Sequence, residues 1–241
     1  MIELEHLVKK FGDITAVNDL SLTVARGEFF AVLGPNAAGK TTTIKLLTGL
    51  LRPTSGTARI CGFDIQTEPL AARQRLAYVP DFPFLYDKLN AWEFFRFIGQ
   101  LFRIGPERIA VNAKELVGRF HLEEFASRPL ESLSHGTRQR VAIVSALLHD
   151  PEVFVIDEPM VGLDPQHARV VKDVLKERSL AGMTVLVSTH QLSIAEEMCD
   201  RIGIIHGGKL IALGTRDQLR QQSGLSGALE EIYLSLTANG K

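Results

Sequence analysis

The chain has 241 residues, of which 45% are hydrophobic and 23% are charged, and its formal net charge is −1. This length and apolar fraction suffice for one large domain or for a domain with a subdomain. The balanced charge gives no overall electrostatic signal for nucleic-acid binding. No apolar run approaches the roughly 18 residues that a membrane span needs, and the start "MIELEHLVKKFG" lacks the apolar region of a signal peptide.

Composition therefore predicts a soluble, cytoplasmic protein. The two cysteines, Cys61 and Cys199, have no metal-ligand spacing and fit thiols of a reducing compartment. No internal repeat or low-complexity segment interrupts the chain.

The first part of the chain predicts strands around one helix. Residues 1–30 alternate apolar with polar side chains, which indicates β-structure. "RGEFFAVLG" is a turn followed by a continuous apolar strand of the kind that is buried on both faces. A helix is expected over about Lys40–Leu51, stopped by Pro53, and "GTARICGFD" returns to β-structure.

The second part turns helical from about Pro83 to Ser132. Asn90 with Glu93 three residues later forms a capping-box pattern, and Pro106 suits the first turn of another helix. "TRQRVAIVSALLHDP" predicts a helix ended by Pro151. "VFVID" and "TVLVSTH" predict buried strands, and "RIGIIHGGKLIALGT" predicts a hairpin with a Gly-Gly turn. Strands that alternate with helices indicate an α/β fold with a mainly parallel sheet.

A phosphate-binding loop is indicated between the apolar strand and the first helix. The segment fits G-x-x-x-x-G-K-[ST], and its residues predicted to bind nucleotide are Gly34, Asn36, Ala37, Ala38, Gly39, Lys40, Thr41 and Thr42. Small residues let backbone N–H groups surround a phosphate, and the helix N-terminus adds roughly 0.3–1 kcal/mol. Because that is too little to hold a triphosphate, Lys40 supplies the full charge, and Thr41 offers a hydroxyl to Mg²⁺. The structural alternative is a strand–helix turn that merely contains glycines.

A pair of acidic residues ends the strand "VFVID". The carboxyl ends of parallel strands meet at one edge of a sheet, where ligands bind. There Asp157 can hold Mg²⁺, and Glu158 can orient and deprotonate an attacking water. Acidic residues at strand ends also occur by chance, so the phosphate loop upstream carries much of this interpretation.

In this order, "GPNAAGKTT", "LSHGTRQR", "VFVIDEP", "VGLD" and "STH" resemble the motifs of ABC-transporter ATPase subunits. The resemblance spans the whole chain. It implies a P-loop NTPase core with a mainly parallel sheet, an N-terminal antiparallel β subdomain and an inserted α-helical subdomain. The expected division assigns 1–82 and 151–215 to the core with the β subdomain, 83–150 to the helical subdomain with the signature loop, and 216–241 to a helical tail.

The resemblance also implies roles for residues outside the phosphate loop. Ser134 and Gly136, in the signature loop, contact the nucleotide held by a second ATPase subunit. His190 contacts the γ-phosphate and the catalytic Glu158. Asp164 belongs to the dimer-contact loop. Phe11 stacks on adenine, although an aromatic residue there could equally be part of the core.

Three positions depart from the family pattern, and each bears on the expected chemistry. Ala37 replaces a glycine, which costs on the order of 1–2 kcal/mol if that position needs a positive φ. Asp81 replaces a glutamine that senses γ-phosphate and Mg²⁺, and a carboxylate can still ligate the metal; the alternative is that Asp81 only begins the "DFP" turn. His135 replaces a signature glycine, and we hypothesise that its protonated imidazole donates to phosphate and favours dimer closure at lower pH.

An aromatic-rich segment indicates the partner surface. Phe82, Phe84 and Tyr86 are spaced by two in a proline-bearing loop, which the family uses to receive the membrane permease subunit. The alternative for these aromatics is subdomain core. "FLYDKL" and the tail "ALEEIYLSLTANGK" resemble exporters rather than importers.

The sequence thus predicts an ATPase with ATP and Mg²⁺ as cofactors. Two ATPase subunits would close as a head-to-tail dimer, either a homodimer or a pair with a homologue, and this closure would drive the permease. It would lie in the cytoplasm, peripheral on the inner face of the cell membrane. One alternative is a soluble ABC ATPase acting on nucleic acid or ribosomes, which the absence of heptad arms and basic extensions disfavours. Another is a regulatory module that binds ATP without hydrolysing it.

Overall fold

The computed structural model describes residues 1–224 and 229–238. Its N-terminal part is an antiparallel sheet made of β1 (Ile2–Phe11), β2 (Ile14–Val24), β4 (Ser55–Ile60) and β5 (Phe63–Asp64), in the order β2-β1-β4-β5. The period-two pattern of the sequence explains this sheet, because Ile2 and Leu4 are buried on one face of β1 whereas Glu5 is exposed. One face is therefore available to pack on the rest of the protein.

The central sheet determines where the functional residues meet. It contains β3 (Phe29–Leu33), β6 (Leu76–Val79), β7 (Val153–Asp157), β8 (Thr184–Thr189), β9 (Arg201–His206) and β10 (Lys209–Gly214), in the order β10-β9-β3-β8-β7-β6. All neighbours run parallel except β10, which pairs antiparallel with β9 at the edge. The loops that follow β3, β6, β7 and β8 consequently leave the same edge of the sheet.

Helices cover the central sheet and form a separate group after β6. They are α1 (Lys40–Leu47), α2 (Pro69–Arg73), α3 (Ala91–Leu101), α4 (Pro106–Arg119), α5 (His135–Leu147), α6 (Pro165–Leu180), α7 (Leu192–Met198), α8 (Arg216–Ser223) and α9 (Leu229–Ala238), with a 3₁₀ turn at Leu130–Ser132. The prediction of an α/β fold with a mainly parallel sheet, an antiparallel N-terminal sheet and an inserted helical region is confirmed.

Strand β3 joins the two hydrophobic clusters of the protein. Phe29, Ala31 and Leu33 pack into the cluster that includes the helical region, whereas Phe30 and Val32 pack into the cluster that includes the N-terminal sheet. Alternate side chains of a strand point to opposite faces, so both faces of β3 are apolar. This double burial is the physical reason for the uninterrupted "FFAVL", and each aromatic or aliphatic side chain buried in this way contributes roughly 1.5–3 kcal/mol.

Three local predictions, namely a capping box, a helix start and a hairpin turn, are confirmed. Asn90 Oδ1 accepts from the amide of Glu93 at 3.0 Å, and the Glu93 carboxylate accepts from the Asn90 amide at 2.9 Å, which completes the capping box of α3. Pro106 opens α4. Gly207 and Gly208 have φ values of 54° and 78° in the β9–β10 hairpin, as a tight turn between twisted strands requires.

Two predicted helix ends are wrong. Helix α1 stops at Leu47 rather than Leu51, because Gly49 adopts a φ of 70° and ends the helix before Pro53 can act. Helix α5 stops at Leu147, ahead of Pro151, and the intervening Asp150 has a φ of 50°. In both places a left-handed residue ends the helix before the proline.

Candidate functional site

The phosphate loop connects β3 to α1, and its two glycines are required by close backbone approaches. A Cβ on Gly34 would lie 2.4 Å from the carbonyl oxygen of Ile205. Gly39 has a φ of 106°, and a Cβ there would lie 2.5 Å from the carbonyl oxygen of Ala16. Between them Ala37 adopts a φ of 63°, so the position that departs from the family pattern does hold a left-handed backbone.

Lys40 is held inside this loop by main-chain oxygens. Its Nζ donates to the carbonyls of Gly34 at 2.7 Å and Pro35 at 3.1 Å, and the side chain is buried. Burial lowers the pKa of Lys40, and the nearby carboxylates of Glu158 and Asp157 oppose that shift. A buried cation whose hydrogen-bond partners are neutral carbonyls can turn to a phosphate at little cost, since the phosphate supplies the missing counter-charge.

Two carboxylates and a hydroxyl converge beside Lys40. Thr41 Oγ1 donates to Asp157 Oδ2 at 3.0 Å, although the two residues lie 116 positions apart in the sequence. Asp81 follows β6, the strand adjacent to β7, and its Oδ1 is buried without a hydrogen-bond partner. Burial raises the pKa of Asp81, and the negative charges of Asp157 and Glu158 raise it further.

These groups fit Mg²⁺. The ion prefers oxygen ligands and keeps positions for water and substrate phosphates, so two carboxylates and one hydroxyl suffice on the protein side. Within the described residues no cluster of three or more His, Cys, Asp or Glu side chains could form an all-protein metal site. A cation would also relieve the unpaired Asp81 oxygen and the repulsion between Asp81 and Asp157.

Glu158 is the most firmly oriented carboxylate of the site. Its Oε2 accepts from Thr189 Oγ1 at 3.0 Å, and its Oε1 accepts from the His190 amide at 3.1 Å and lies 2.6 Å from His190 Nδ1. The Glu158 side chain is 13% exposed and that of His190 is 56% exposed. The carboxylate is therefore fixed at the boundary between protein and solvent, where a general base can reach a water.

The loop and the carboxylates line one cleft of about 420 Å³. The lining residues are Phe11, Ala16, Asn36, Ala37, Ala38, Gly39, Lys40, Thr41, Thr42, Asp81, Asp157 and Glu158. Phe11 is 46% exposed, and the Nζ of Lys9 lies 4.9 Å from the centroid of its ring. Phe11 therefore offers a partly open aromatic face at the cleft, whereas a core residue would be buried. Sequence reasoning missed Ala16, which belongs to no recognisable motif, and Thr189, which lies within "STH" but was given no role.

The predicted signature and dimer-contact residues do not line this cleft. Ser134 caps α5, where its Oγ accepts from the Thr137 amide at 3.3 Å. Asp164 caps α6, where it accepts from the amide of His167 at 3.0 Å. The capping bond to the His167 amide lowers the pKa of Asp164, and the His167 side chain adds to the effect. Both side chains have a structural task within this chain, in addition to any contact with a second subunit.

The strand, the phosphate loop, the helix and the acidic strand end together define a nucleotide-binding protein of the phosphate-loop class. A family model described as ABC transporter matches residues 17–161. The linearmycin resistance ATP-binding protein LnrL of Bacillus subtilis is 37% identical over 100% of this chain and 76% of its own length. The Nod factor export ATP-binding protein I of Cupriavidus pinatubonensis is 38% identical over 97% of this chain and 71% of its own length.

A solved dimeric ATP-binding cassette in a post-hydrolysis state with ADP and Pi superposes with a TM-score of 0.82. It is 28% identical and covers 89% of this chain and 98% of its own. The chain belongs to the ABC transporter family and is one of its ATP-binding, ATP-hydrolysing cassettes. Such cassettes work with membrane permease subunits and form dimers. The alternative of a soluble ATPase acting on nucleic acid or ribosomes is not favoured by these relatives. Across residues 1–224 and 229–238, no helix is long and apolar enough to cross a bilayer.

Proposed function

We propose that this chain binds ATP in the cleft at the phosphate loop and hydrolyses it while closed, head to tail, on a second ATPase subunit. That subunit is a second copy or a homologue. The observation that carries the proposal is the fixed carboxylate of Glu158 beside Lys40 and the Thr41–Asp157 pair, because hydrolysis needs a base aligned with a held triphosphate.

The nucleotide is held by loop amides and by charge. Lys40 exchanges its two carbonyl partners for the β- and γ-phosphates, and the N-terminus of α1 faces the same charge. Thr41, Asp157 and Asp81 hold Mg²⁺. When bound, Mg²⁺ neutralises charge that develops on the phosphates. Phe11 takes the adenine on its open face, and such a stack requires only a flat aromatic base.

Glu158 and His190 are the proposed catalytic residues. Glu158 orients the attacking water and accepts its proton. His190 keeps the Glu158 carboxylate in place through its amide and its ring, and its exposed imidazole edge is available to the γ-phosphate. Ser134 and Gly136, at the N-terminus of α5, complete the nucleotide site of the second subunit, and Asp164 lies at the contact between the two subunits.

The proposal is tested by Glu158→Gln, with Glu107→Gln at an exposed position on α4 as the matched control. The amide keeps most of the shape of the side chain but cannot accept the proton. We expect Glu158→Gln to bind ATP, to dimerise in Mg·ATP and to stop hydrolysing, whereas Glu107→Gln hydrolyses and dissociates normally. Sedimentation measures ATP-dependent dimerisation, and phosphate release measures hydrolysis. A folded Glu158→Gln protein that stays monomeric in saturating Mg·ATP refutes the head-to-tail dimer.

The proposed permease contact is an apolar groove next to the nucleotide cleft. A cavity of about 340 Å³ is lined by Thr41, Lys45, Leu50, Tyr78, Pro80, Asp81, Phe82, Phe84 and Asp157. Phe82 and Phe84 are 70% and 96% exposed, as aromatics that a partner chain covers would be. Tyr86 is 58% exposed but packs edge-on against Phe97, with ring centroids 5.1 Å apart. It therefore lies beside the groove and does not line it.

Capture from detergent-solubilised membranes tests this contact. A multi-pass membrane protein should be recovered with the wild-type chain and lost with Phe82→Ala/Phe84→Ala. Leu180→Ala, which removes an 80% exposed side chain at the end of α6, should retain it. Recovery of ribosomal or DNA-associated proteins in place of a membrane protein contradicts the proposal.

The remaining assignments depend on these proposals. The relatives include a linearmycin resistance protein and a Nod factor export protein, and with the exporter-like tail they support export as the direction of transport. The chain would then lie in the cytoplasm on the inner face of the membrane, attached through its permease, with no nucleic-acid partner. We retain the division into core (1–82 and 151–215), helical subdomain (83–150) and tail (216–241); the tail includes residues 225–228 and 239–241, which lie outside the described residues.

A further inference from the structure

The side chain of His135 lies where three segments of the chain meet. Its ring centroid is 5.8 Å from that of Phe82, in the loop after β6, at an interplanar angle of 54°. On another side the ring presses against Gly162, in the loop before α6, because a Cβ on Gly162 would lie 2.3 Å from His135 Cδ2. His135 itself is the first residue of α5. One side chain therefore touches the loops that carry Asp81 and Asp164.

Backbone packing tightens the same junction. A Cβ on Gly136 would lie 2.4 Å from the carbonyl oxygen of Gly162, so the start of α5 and the loop before α6 are in direct contact. Gly162 has a φ of 76°, which a side chain would strain. The start of α5 therefore has little freedom on the side of Gly162. Its aromatic neighbour is Phe82, which lies next to the His135 ring.

Packing holds the His135 ring in place. Within the described residues, no side-chain hydrogen bond or ion pair involves its ring nitrogens, and the residue is exposed. The resemblance to ABC cassettes places glycine at this position, so the contact with Phe82 is a property of this chain. Because the ring lies against both loops, a displacement of either loop changes the packing of the ring.

We propose that His135 is a positioning residue that makes the placement of Ser134 and Gly136 depend on the placement of Phe82. The inference rests on the proposed function, in which Ser134 and Gly136 bind the nucleotide of the second subunit and Phe82 lines the permease groove. A permease segment on Phe82 then acts on the signature loop of the same chain through the His135 ring. Spatial contact alone does not establish coupling, so the test measures the coupling itself.

The experiment uses Glu158→Gln as the parent, so that dimers accumulate without hydrolysis. Sedimentation measures the ATP concentration for half-maximal dimerisation of the parent and of four variants built on it. The variants carry Phe82→Ala, His135→Ala, both of these substitutions, or His135→Phe. His135→Ala should raise that concentration about 2- to 12-fold, which is the 0.5–1.5 kcal/mol of an aromatic pair converted to a ratio. The double variant should need no more ATP for half-maximal dimerisation than the single variant that dimerises less readily. His135→Phe, which keeps a ring, should stay close to the parent.

Three outcomes overturn the inference. If the effects of Phe82→Ala and His135→Ala multiply, the side chains are not coupled. If His135→Ala matches the parent, the ring positions nothing. If His135→Phe is as weak as His135→Ala, the imidazole acts through its N–H groups, as direct donation to phosphate would require. A parent that fails to dimerise at all refutes the proposed function instead. Equal melting temperatures and ATP affinities of the monomers exclude a change of fold as the cause.

Discussion

Ala37 offers a quantitative test of how the phosphate loop is built. Its φ of 63° lies in the left-handed region, which costs a non-glycine residue roughly 1–2 kcal/mol. Ala37→Gly removes that cost but adds freedom to the unfolded chain, which costs about 0.4–1 kcal/mol. Because the Ala37 methyl is exposed, little packing is lost. We therefore expect the free energy of unfolding to rise by about 0.5–1 kcal/mol, measured by urea denaturation without nucleotide.

The neighbouring Ala38 is the matched control. It lies outside the left-handed region, and its side chain is only 3% exposed. Ala38→Gly loses about 0.8 kcal/mol of methyl burial in addition to the entropy of the unfolded chain, so it should destabilise by about 1–2 kcal/mol. The two variants should differ by about 2 kcal/mol, or roughly 4–8 °C in melting temperature for a domain of this size. Equal destabilisation by both would refute the assignment of strain to Ala37.

Three further substitutions probe buried polar groups. Asp81→Asn should stabilise the nucleotide-free protein at pH 7, since burial and neighbouring carboxylates disfavour only the ionised form of Asp81. The gain should shrink as the pH falls below the raised pKa of Asp81 and disappear below the usual pKa of an aspartate in the unfolded chain. Burial lowers the pKa of His149 from 6.5 to about 4, so as the pH falls the imidazole is protonated in the unfolded chain before it is protonated in the folded protein. The free energy of unfolding should therefore fall by about 3 kcal/mol between pH 6.5 and 4, and His149→Phe should remove that loss. Thr184→Val should cost about 2–4 kcal/mol, because Thr184 Oγ1 accepts from the Gly27 amide and donates to the Ala25 carbonyl, both at 3.1 Å, in a fully buried position.

Each of these has a control in the same chain, and urea denaturation measures all of them. Asp13→Asn, at an exposed loop, should leave the pH dependence unchanged. His6→Ala, also exposed, should keep the loss of stability between pH 6.5 and 4. Thr184→Ser retains the hydroxyl and should be the milder change. A Thr184→Val protein no less stable than Thr184→Ser, or a His149→Phe protein with the wild-type pH profile, contradicts the reasoning.

Where a local backbone requirement fixes the residue, the sequence predicted the structure well. Gly34 and Gly39 leave no room for a Cβ, so the spacing of the phosphate loop is visible in the sequence itself. The capping box at Asn90 and the Gly-Gly hairpin are similarly local. Helix α6 is not among the predicted elements, although Val171, Val174 and Leu175 have the spacing of a buried helical face and pack in the core.

Residues brought together by strand register could not be predicted in this way. Thr189 reaches Glu158 because β8 pairs with β7 so that Asp157 lies opposite Ser188. A shift of one position would turn the Thr189 hydroxyl to the other face of the sheet. Nothing local in "LVSTH" indicates that pairing. The exposure of Phe82 and Phe84 likewise depends on how the loop after β6 lies against the helices.

The two left-handed non-glycine residues that line the cleft, Ala37 and Glu158, are held there differently. Ala37 follows from the path of the loop between two constrained glycines. Glu158, with a φ of 48°, has its amide bonded to the Ser188 carbonyl at 2.8 Å and its carboxylate bonded to Thr189 and His190. Backbone strain of this kind persists only where the surroundings over-determine it. Every one of these bonds comes from the end of β8 and the residue after it, so the register of β8 against β7 fixes both the strained backbone and the direction of the proposed base. The site thus derives its geometry from the most buried part of the sheet.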